Sequence, residues 1–453
     1  MKHIFLLLLV TFVAGALFLY FIQHYKQILQ WFASSKKPGK PPLPQILKHR
    51  SEDDCPVCRM AREAGHPPPP NCSHMPDPWS EVKDSRGRKK TICTRYQFCS
   101  NPDCNYYLIA DEKIHALVGS GTHGKYEEIQ DLICQACQKK FSIRKHTILF
   151  RLKTHSATVR LALQLLALGV DISALEEALE IRESTLRVLL VRSGVQARKL
   201  HEHFFQGLEL GHVQLDELWA NVKQAQQDMW VWVAVDARTK IIPVLQLGAR
   251  TQAMAYEVAH ELKSRLKVGN TPVFSTDGLK HYFYALTAHF GEWINVEGQK
   301  KPVWMILSDF YYAQVIKRQR RRRTVEVEQR HIWGHPTEYK ARLKAKGMSG
   351  NINTAFVERV NLTIRQGVSK LTRRTWGRVQ YSSELLEHLY WWMAYYHFVR
   401  EHESLRVTLE TPQARKGKQK ARRYKKRTPA MAAGVTERVL FSNIVTRLCL
   451  PTS

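Results

Sequence analysis

The stretch His212–Asn221, HVQLDELWAN, is patterned as a β-strand by Val213, Leu215, Leu218 and Trp219, yet Asp216 and Glu217 stand in its middle. A strand bound for the interior rarely holds a charge without a partner. Two further acids have suggestive settings. Asp277 ends the strand-like TPVFSTDG, and Glu358 lies in the helical segment Asn353–Gly377, NTAFVERVNLTIRQGVSKLTRRTWG. Facing carboxylates repel unless a cation sits between them. Mg²⁺ suits them, as a hard ion that takes oxygen ligands, keeps waters and accepts phosphate oxygens. Two such ions clamp the attacking and leaving oxygens of a phosphodiester displacement. On the helix, Glu358 and Arg365 share a face with Asn361 between them. Glu358 is expected to complete the metal site and Arg365 to reach a phosphate, with Lys370, Arg373 and Arg374 extending the basic face. Asp309, after VWMIL, is the rival for the second acid, and Glu217 the candidate supporting group. Taken singly, each acid could instead be a turn or surface residue.

The cysteines suggest a second kind of metal chemistry. Cys99-x4-Cys104 and Cys134-x2-Cys137 form two knuckles, the pattern of a structural four-thiolate Zn²⁺ site that leaves no open position. Cys55, Cys58, Cys72 and His74 form a weaker second set. Cys93 and Cys449 have no evident partner. Nine cysteines, an odd number with CxxC pairs, exclude a secreted disulfide framework and point to a reducing compartment.

These groups need elements to position them. Residues 212–221 form a first strand, and Met229–Gly248 a hairpin turning at Asp236–Lys240. Pro243 puts its second arm at a sheet edge. A helix near Gln252–Lys267 crosses over to the strand ending at Asp277, making that strand parallel to the first. Asp216 and Asp277 then sit side by side, in the strand order of the ribonuclease-H-like fold. The expected whole is a multidomain α+β chain: a zinc ribbon over 93–150, a helix–turn–helix over 155–205, and a ribonuclease-H-like α/β domain with a mixed five-stranded sheet over 210–405. Residues 290–350 read as a long, basic, less regular insertion in that domain. In the helical segment, Leu161–Leu168 is followed by Gly169. Ser173 should cap a second helix with Glu176 as its capping-box partner. A third helix from Glu183–Ser184 carries Arg187 and Arg192 toward a DNA major groove. A plain three-helix bundle is the alternative.

The chain's 453 residues, 44% hydrophobic, can fill two or three domains, and 69 basic against 40 acidic residues leave a net charge of +29. That surplus predicts a polyanionic partner, with nucleic acid ahead of an anionic membrane surface. Ile4–Ile22 is an uncharged run long enough to cross a bilayer; it is a candidate anchor within residues 1–22, or a translated stretch without a role. A Pro/basic linker follows over 23–92. Lys317–Arg323 and Arg415–Arg427 are basic runs suited to phosphates, the second inside a basic tail over 406–453. Leu389–Phe398, LYWWMAYYHF, is expected to pack in the core rather than stack on bases.

LDELW at the first acid, STDGL at the second and FVERVNLTIR at the third together resemble the DDE transposases of short bacterial insertion sequences, over most of residues 93–410. Tyr395–Leu405 resembles the end of integrase-type cores, although Glu401 stands where proline is expected. The resemblance implies two Mg²⁺ or Mn²⁺ ions on Asp216, Asp277 and Glu358, and cutting and joining of double-stranded DNA at element ends. A homo-oligomer assembled on those ends, in the cytoplasm or nucleoid, is its natural setting. The rivals are a non-catalytic DNA-binding regulator, a nuclease that cuts without joining, and a membrane-tethered nucleic-acid protein.

Overall fold

The computed structural model describes residues 97–107, 109, 115–223, 228–297, 299–321, 323–372, 379, 381–413 and 421–439. The expectations for Ile4–Ile22, for the linker, for Cys55, Cys58, Cys72 and His74, and for Arg373 and Arg374 lie outside the described residues. Among the described residues no helix is long and apolar enough to cross a membrane.

The described chain is mixed α+β. It begins with a three-stranded antiparallel sheet of β1 (Leu117–His123), β2 (Ile129–Cys134) and β3 (Lys140–Ser142), in that order. Its small core is Tyr106, Leu117, Leu132 and Phe141 around the cysteines. Three helices follow: α1 (Ser156–Ala167), α2 (Ile172–Leu179) and α3 (Glu183–Phe204). The cap of α2 differs from expectation. Asp171, not Ser173, is the N-cap, and it accepts from the Ser173 amide. Glu176 instead accepts from the Glu183 amide at 3.0 Å and so caps α3. Both residue types cap well, and chain geometry selects the one just outside the helix.

The largest unit is a six-stranded mixed sheet. It uses β4 (His212–Ala220), β5 (Met229–Asp236), β6 (Val244–Gly248), β7 (Val273–Thr276), β10 (Tyr311–Arg320) and β11 (Arg323–Trp333), in the order β11-β10-β7-β4-β5-β6. β4, β5 and β6 form an antiparallel meander. The helix α4 (Gln252–Arg265) crosses to β7, which pairs parallel to β4. Pro243 directly precedes the edge strand β6, where a missing N–H costs no ladder bond. Val231–Val235 of β5 are buried on both faces, as a central strand requires.

The five-strand expectation is corrected here. Residues 290–350 are not an irregular insertion: β10 runs parallel to β7 inside the main sheet, and β11 folds back on it. Between β7 and β10 lie α5 (Lys280–His289) and a small hairpin of β8 (Gly291–Ile294) and β9 (Val303–Ile306). After β11 comes α6 (Pro336–Ala345). The apolar half of β10, Tyr311–Val315, is buried beside β7, and its basic half runs past the end of β7 paired only with β11.

Two helices close the sheet's inner face. α7 (Ala355–Gly367) packs on β4 and β5, and α8 (Ser382–Phe398) lies along α3. The aromatic run is core, as expected: Trp391, Trp392, Tyr396 and Phe398 are all buried. The Trp391 indole donates to the Leu163 carbonyl at 2.8 Å, tying α8 to α1. α3 approaches α8 so closely that a Cβ on Gly194 would lie 2.4 Å from the Glu387 carbonyl oxygen. Only glycine fits there.

The described residues of the basic tail also form more regular structure than their composition suggests. β12 (His402–Gln413) pairs antiparallel with β13 (Arg422–Arg427), followed by α9 (Pro429–Ala432). The expected boundary at 405/406 falls inside β12.

Candidate metal centres

The parallel pairing of β4 and β7 runs from His212 opposite Val273 to Leu215 opposite Thr276. One step further along both strands stand Asp216 and Asp277. The side chain of Asp277 accepts from the Leu279 amide at 3.0 Å, which starts α5 and fixes the carboxylate at the strand's end. Asp216 accepts from the Glu217 amide at 2.9 Å and from Asn361 Nδ2 of α7 at 2.8 Å. Carboxylate oxygens of Asp216, Glu217 and Asp277 lie within 4.8 Å of one another.

Gln214 explains why α7 meets β4 here. It lies two residues before Asp216, hence on the same strand face. Its buried Oε1 accepts from the Phe356 and Val357 amides at 3.0 and 3.1 Å, and its Nε2 donates to the Asn353 carbonyl at 2.7 Å. The open N-terminus of α7 is thereby capped from the sheet. That puts Glu358 in the helix's first turn, where it accepts from Thr354 Oγ1 at 2.5 Å and pairs with Lys317 of β10.

The acids do not all stand as expected. Glu358 is outside the tight cluster, though its charge reaches Asp216. Glu217 is inside it. Its side chain is 2% exposed, pairs with Arg250 and accepts from the Tyr282 hydroxyl at 3.0 Å. Arg250 in turn lies over the Trp230 ring, 4.9 Å from its centroid. The rival acid Asp309 sits 3.9 Å from Arg342 and belongs to neither group.

Burial first, then the charges of Asp277 and Glu217, push the Asp216 carboxyl up to about 7. Burial also raises Glu217 and Asp277. The opposing influence on Asp277 is its bond from the Leu279 amide and the charge of Arg250. Three crowded, desolvated carboxyls form a site that a divalent cation relieves. Asn361 Oδ1 is buried without a hydrogen-bond partner while its amide nitrogen holds Asp216. All available donors are hard oxygens, which fit Mg²⁺ or Mn²⁺.

The cysteine centre is of another kind. Cys99 and Cys137 sulfurs are 3.5 Å apart, and those of Cys104 and Cys134 3.8 Å. All four lie within 4.8 Å of one another. These separations exclude disulfides. A tetrahedral Zn²⁺ with bonds of ~2.3 Å sets its sulfurs about 3.8 Å apart, so the residues fit that ion. The amides of Asn101 and Tyr106 each donate to a cysteine sulfur at 3.5 Å, opposing the neighbouring Cys134 and the burial that raise the Cys99 thiol and the burial that raises Cys104.

The expected DNA-binding side chains are mostly engaged within the chain. Arg187 pairs with Glu183 and Glu384, and Arg192 donates to the Phe150 carbonyl at 2.9 Å. Lys370 pairs with Asp171 at 3.4 Å, and Arg365 donates to the Leu371 carbonyl at 3.3 Å. The exposed face of α3 includes Val188, Val191 and Val195. Sequence reasoning missed Gln214, Arg250 and Tyr282, and it placed Lys317 in a phosphate-binding run without its pairing to Glu358. Among the three missed residues a signal existed only for Gln214, a polar residue at a buried strand position in step with Asp216. Comparison of the chain with protein-family models and with curated proteins finds no match, so the residues and their geometry alone carry the functional reading.

Proposed function

We propose that the chain is a DDE-type DNA transposase, with a ribonuclease-H-like catalytic domain, a zinc ribbon at Cys99, Cys104, Cys134 and Cys137, and a helix–turn–helix in α1–α3. Asp216, Asp277 and Glu358 would hold two Mg²⁺ or Mn²⁺ ions, with Glu217 beside them. The observation that carries this reading is the abutment of Asp216 and Asp277 on adjacent parallel strands, with α7 bringing Glu358 to the same end of the sheet. Ions bound there supply Lewis-acid activation of water and later of a freed 3′-hydroxyl.

The chain's own part is to hold and orient. Asn361 fixes the Asp216 carboxylate, Gln214 fixes α7, and Arg250 balances the charge of Glu217. Glu358 would hold an ion in place of its Lys317 partner, whose ammonium would then be available to phosphate. Cleavage and joining are both in-line phosphoryl transfers, with no covalent protein intermediate. The partners are duplex DNA at element ends and at the target, with further copies of this chain assembled on those ends in the cytoplasm or nucleoid. Ile4–Ile22 is a candidate membrane contact.

The test is metal-dependent cleavage of DNA carrying element ends. Asp216→Asn should abolish cleavage and spare DNA binding. Cleavage at the wild-type level by that variant would refute the metal role. Nicking by the wild type without any joined product would favour a nuclease instead.

A further inference from the structure

Between the cysteine module and the segment that leads into α1 lies a cleft of about 510 Å³, bounded by the β1–β2 turn and residues 150–154. The turn has a defined shape. Gly124 has φ +114°, and a Cβ there would lie 2.3 Å from the Glu127 carbonyl oxygen, so only glycine closes it. Beneath the turn, buried Arg144 donates to Glu127 at 2.6 Å, and the Ser156 amide and hydroxyl donate to it at 2.8 and 2.5 Å. Burial raises the Glu127 carboxyl, but the bonds from Ser156 and Arg144 outweigh it and hold the group down at about 2. The single carboxylate of the cleft is therefore already satisfied. The rim carries Lys125, Arg151 and Lys153, all exposed. Tyr126 is 71% exposed at the tip of the turn, with the Lys125 ammonium 5.4 Å from its ring centroid.

The third helix offers much less. Arg187 and Arg192 are held within the chain, and valines share its outer face. We propose that this cleft, rather than the outer face of α3, is the main DNA contact of the N-terminal half. Lys125, Arg151 and Lys153 take successive phosphates of one duplex backbone, and Tyr126 lies against the adjoining sugar. The proposal rests on the DNA-binding reading above. Cations spread along an open rim beside an exposed aromatic match an extended polyanion. A small anion would need donors converging on one point.

The test uses the full chain and a fluorescent duplex of about 30 base pairs, titrated over a range of salt concentrations. Each phosphate contact contributes ~0.9 to the slope of log affinity against log salt. The combined variant Lys125→Gln, Arg151→Gln, Lys153→Gln should bind about 10- to 100-fold more weakly and lose about two to three from that slope. Tyr126→Ala should weaken binding several-fold with the slope kept. Should the triple variant fail to fold, Lys153→Gln alone should remove about one from the slope. An unchanged slope overturns the proposal. So does an equal loss in Lys267→Gln, Lys301→Gln, Lys340→Gln, a charge-matched set on the sheet unit. Release of the duplex by inorganic phosphate at constant ionic strength also overturns it, by identifying a small-anion site. If the wild type fails to hold the duplex, the DNA reading falls together with this one. If the wild type binds and the variants match it, the cleft alone is wrong.

Discussion

The cysteine centre and the carboxylate centre solve opposite electrostatic problems. The cysteines come from two knuckles on one small module, and their four sulfurs nearly enclose the ion position. Nothing is left for a substrate to coordinate. The carboxylates come from β4, the end of β7 and the first turn of α7, and they are held by neighbours rather than by each other. Burial raises Asp216, Glu217 and Asp277, and the charge of neighbouring carboxylates adds to it at Asp216 and Glu217. A closed soft site stabilises a fold. An open hard site under repulsive tension is suited to take up cations and phosphate oxygens. On the proposed function, the difference would give structure to one centre and chemistry to the other.

That assignment can be broken in several ways. The largest effect is expected at the acids: Asp277→Ala should lower cleavage by about 10³-fold or more with the circular dichroism unchanged. A variant that cleaves normally would end the chemical role. Removal of zinc, by chelation or by Cys134→Ser, should unfold residues 99–137 ahead of the rest, since a structural ion contributes folding free energy directly. Limited proteolysis would report cuts in that module first, and an unchanged digestion pattern would contradict the assignment.

The next effect is smaller and separates positioning from ligation. Gln214→Leu strips α7 of its cap and should cost about 1–3 kcal/mol of stability. It should also lower cleavage about 10- to 100-fold, as losses in the groups supporting a metal site do. Raising the metal concentration should recover part of that activity, because the ligands remain. A loss that no metal concentration recovers would make Gln214 a purely structural cap.

The acid cluster also carries a pH signature. Asp216 is raised from 3.8 to about 7, so its folded form binds the proton more tightly than the unfolded chain does. Metal-free protein therefore loses stability from this group as pH rises from about 4 to about 7, and no more above that. Asp216→Asn removes the effect. The variant should be about 4 kcal/mol more stable than the wild type at pH 8 and nearly equal to it near pH 4. Denaturant midpoints across that range measure the gap, and a gap independent of pH would contradict the crowding. The smallest expected effect is on stability in Lys317→Gln, about 0–1 kcal/mol for a half-exposed pair.

Much of this was legible in the sequence, for identifiable reasons. Asp216 and Asp277 could be brought together because a strand's period, a hairpin turn and a crossover helix leave few topologies. The knuckles were legible because their ligands are close in the chain. β10 was hidden because the basic residues after Ile316 mask the buried half, Tyr311–Val315. β13, RRYKKR, is almost wholly exposed and has no apolar face to announce it. The engagement of Glu217 by Arg250 and Tyr282, and of Glu358 by Lys317, depends on contacts between distant elements that no local pattern encodes. Ser173 reads as the α2 cap because its side chain can accept from a helix amide, as the side chain of Asp171, the actual cap, also can.

The most direct test of the central claim is anomalous scattering from crystals of the protein soaked in Mn²⁺. The account predicts a peak between the carboxylates of Asp216 and Asp277, on the side facing α7, and its loss in Asp216→Asn. A wild-type structure with this sheet intact and Mn²⁺ absent from those carboxylates, or bound only elsewhere, would contradict it.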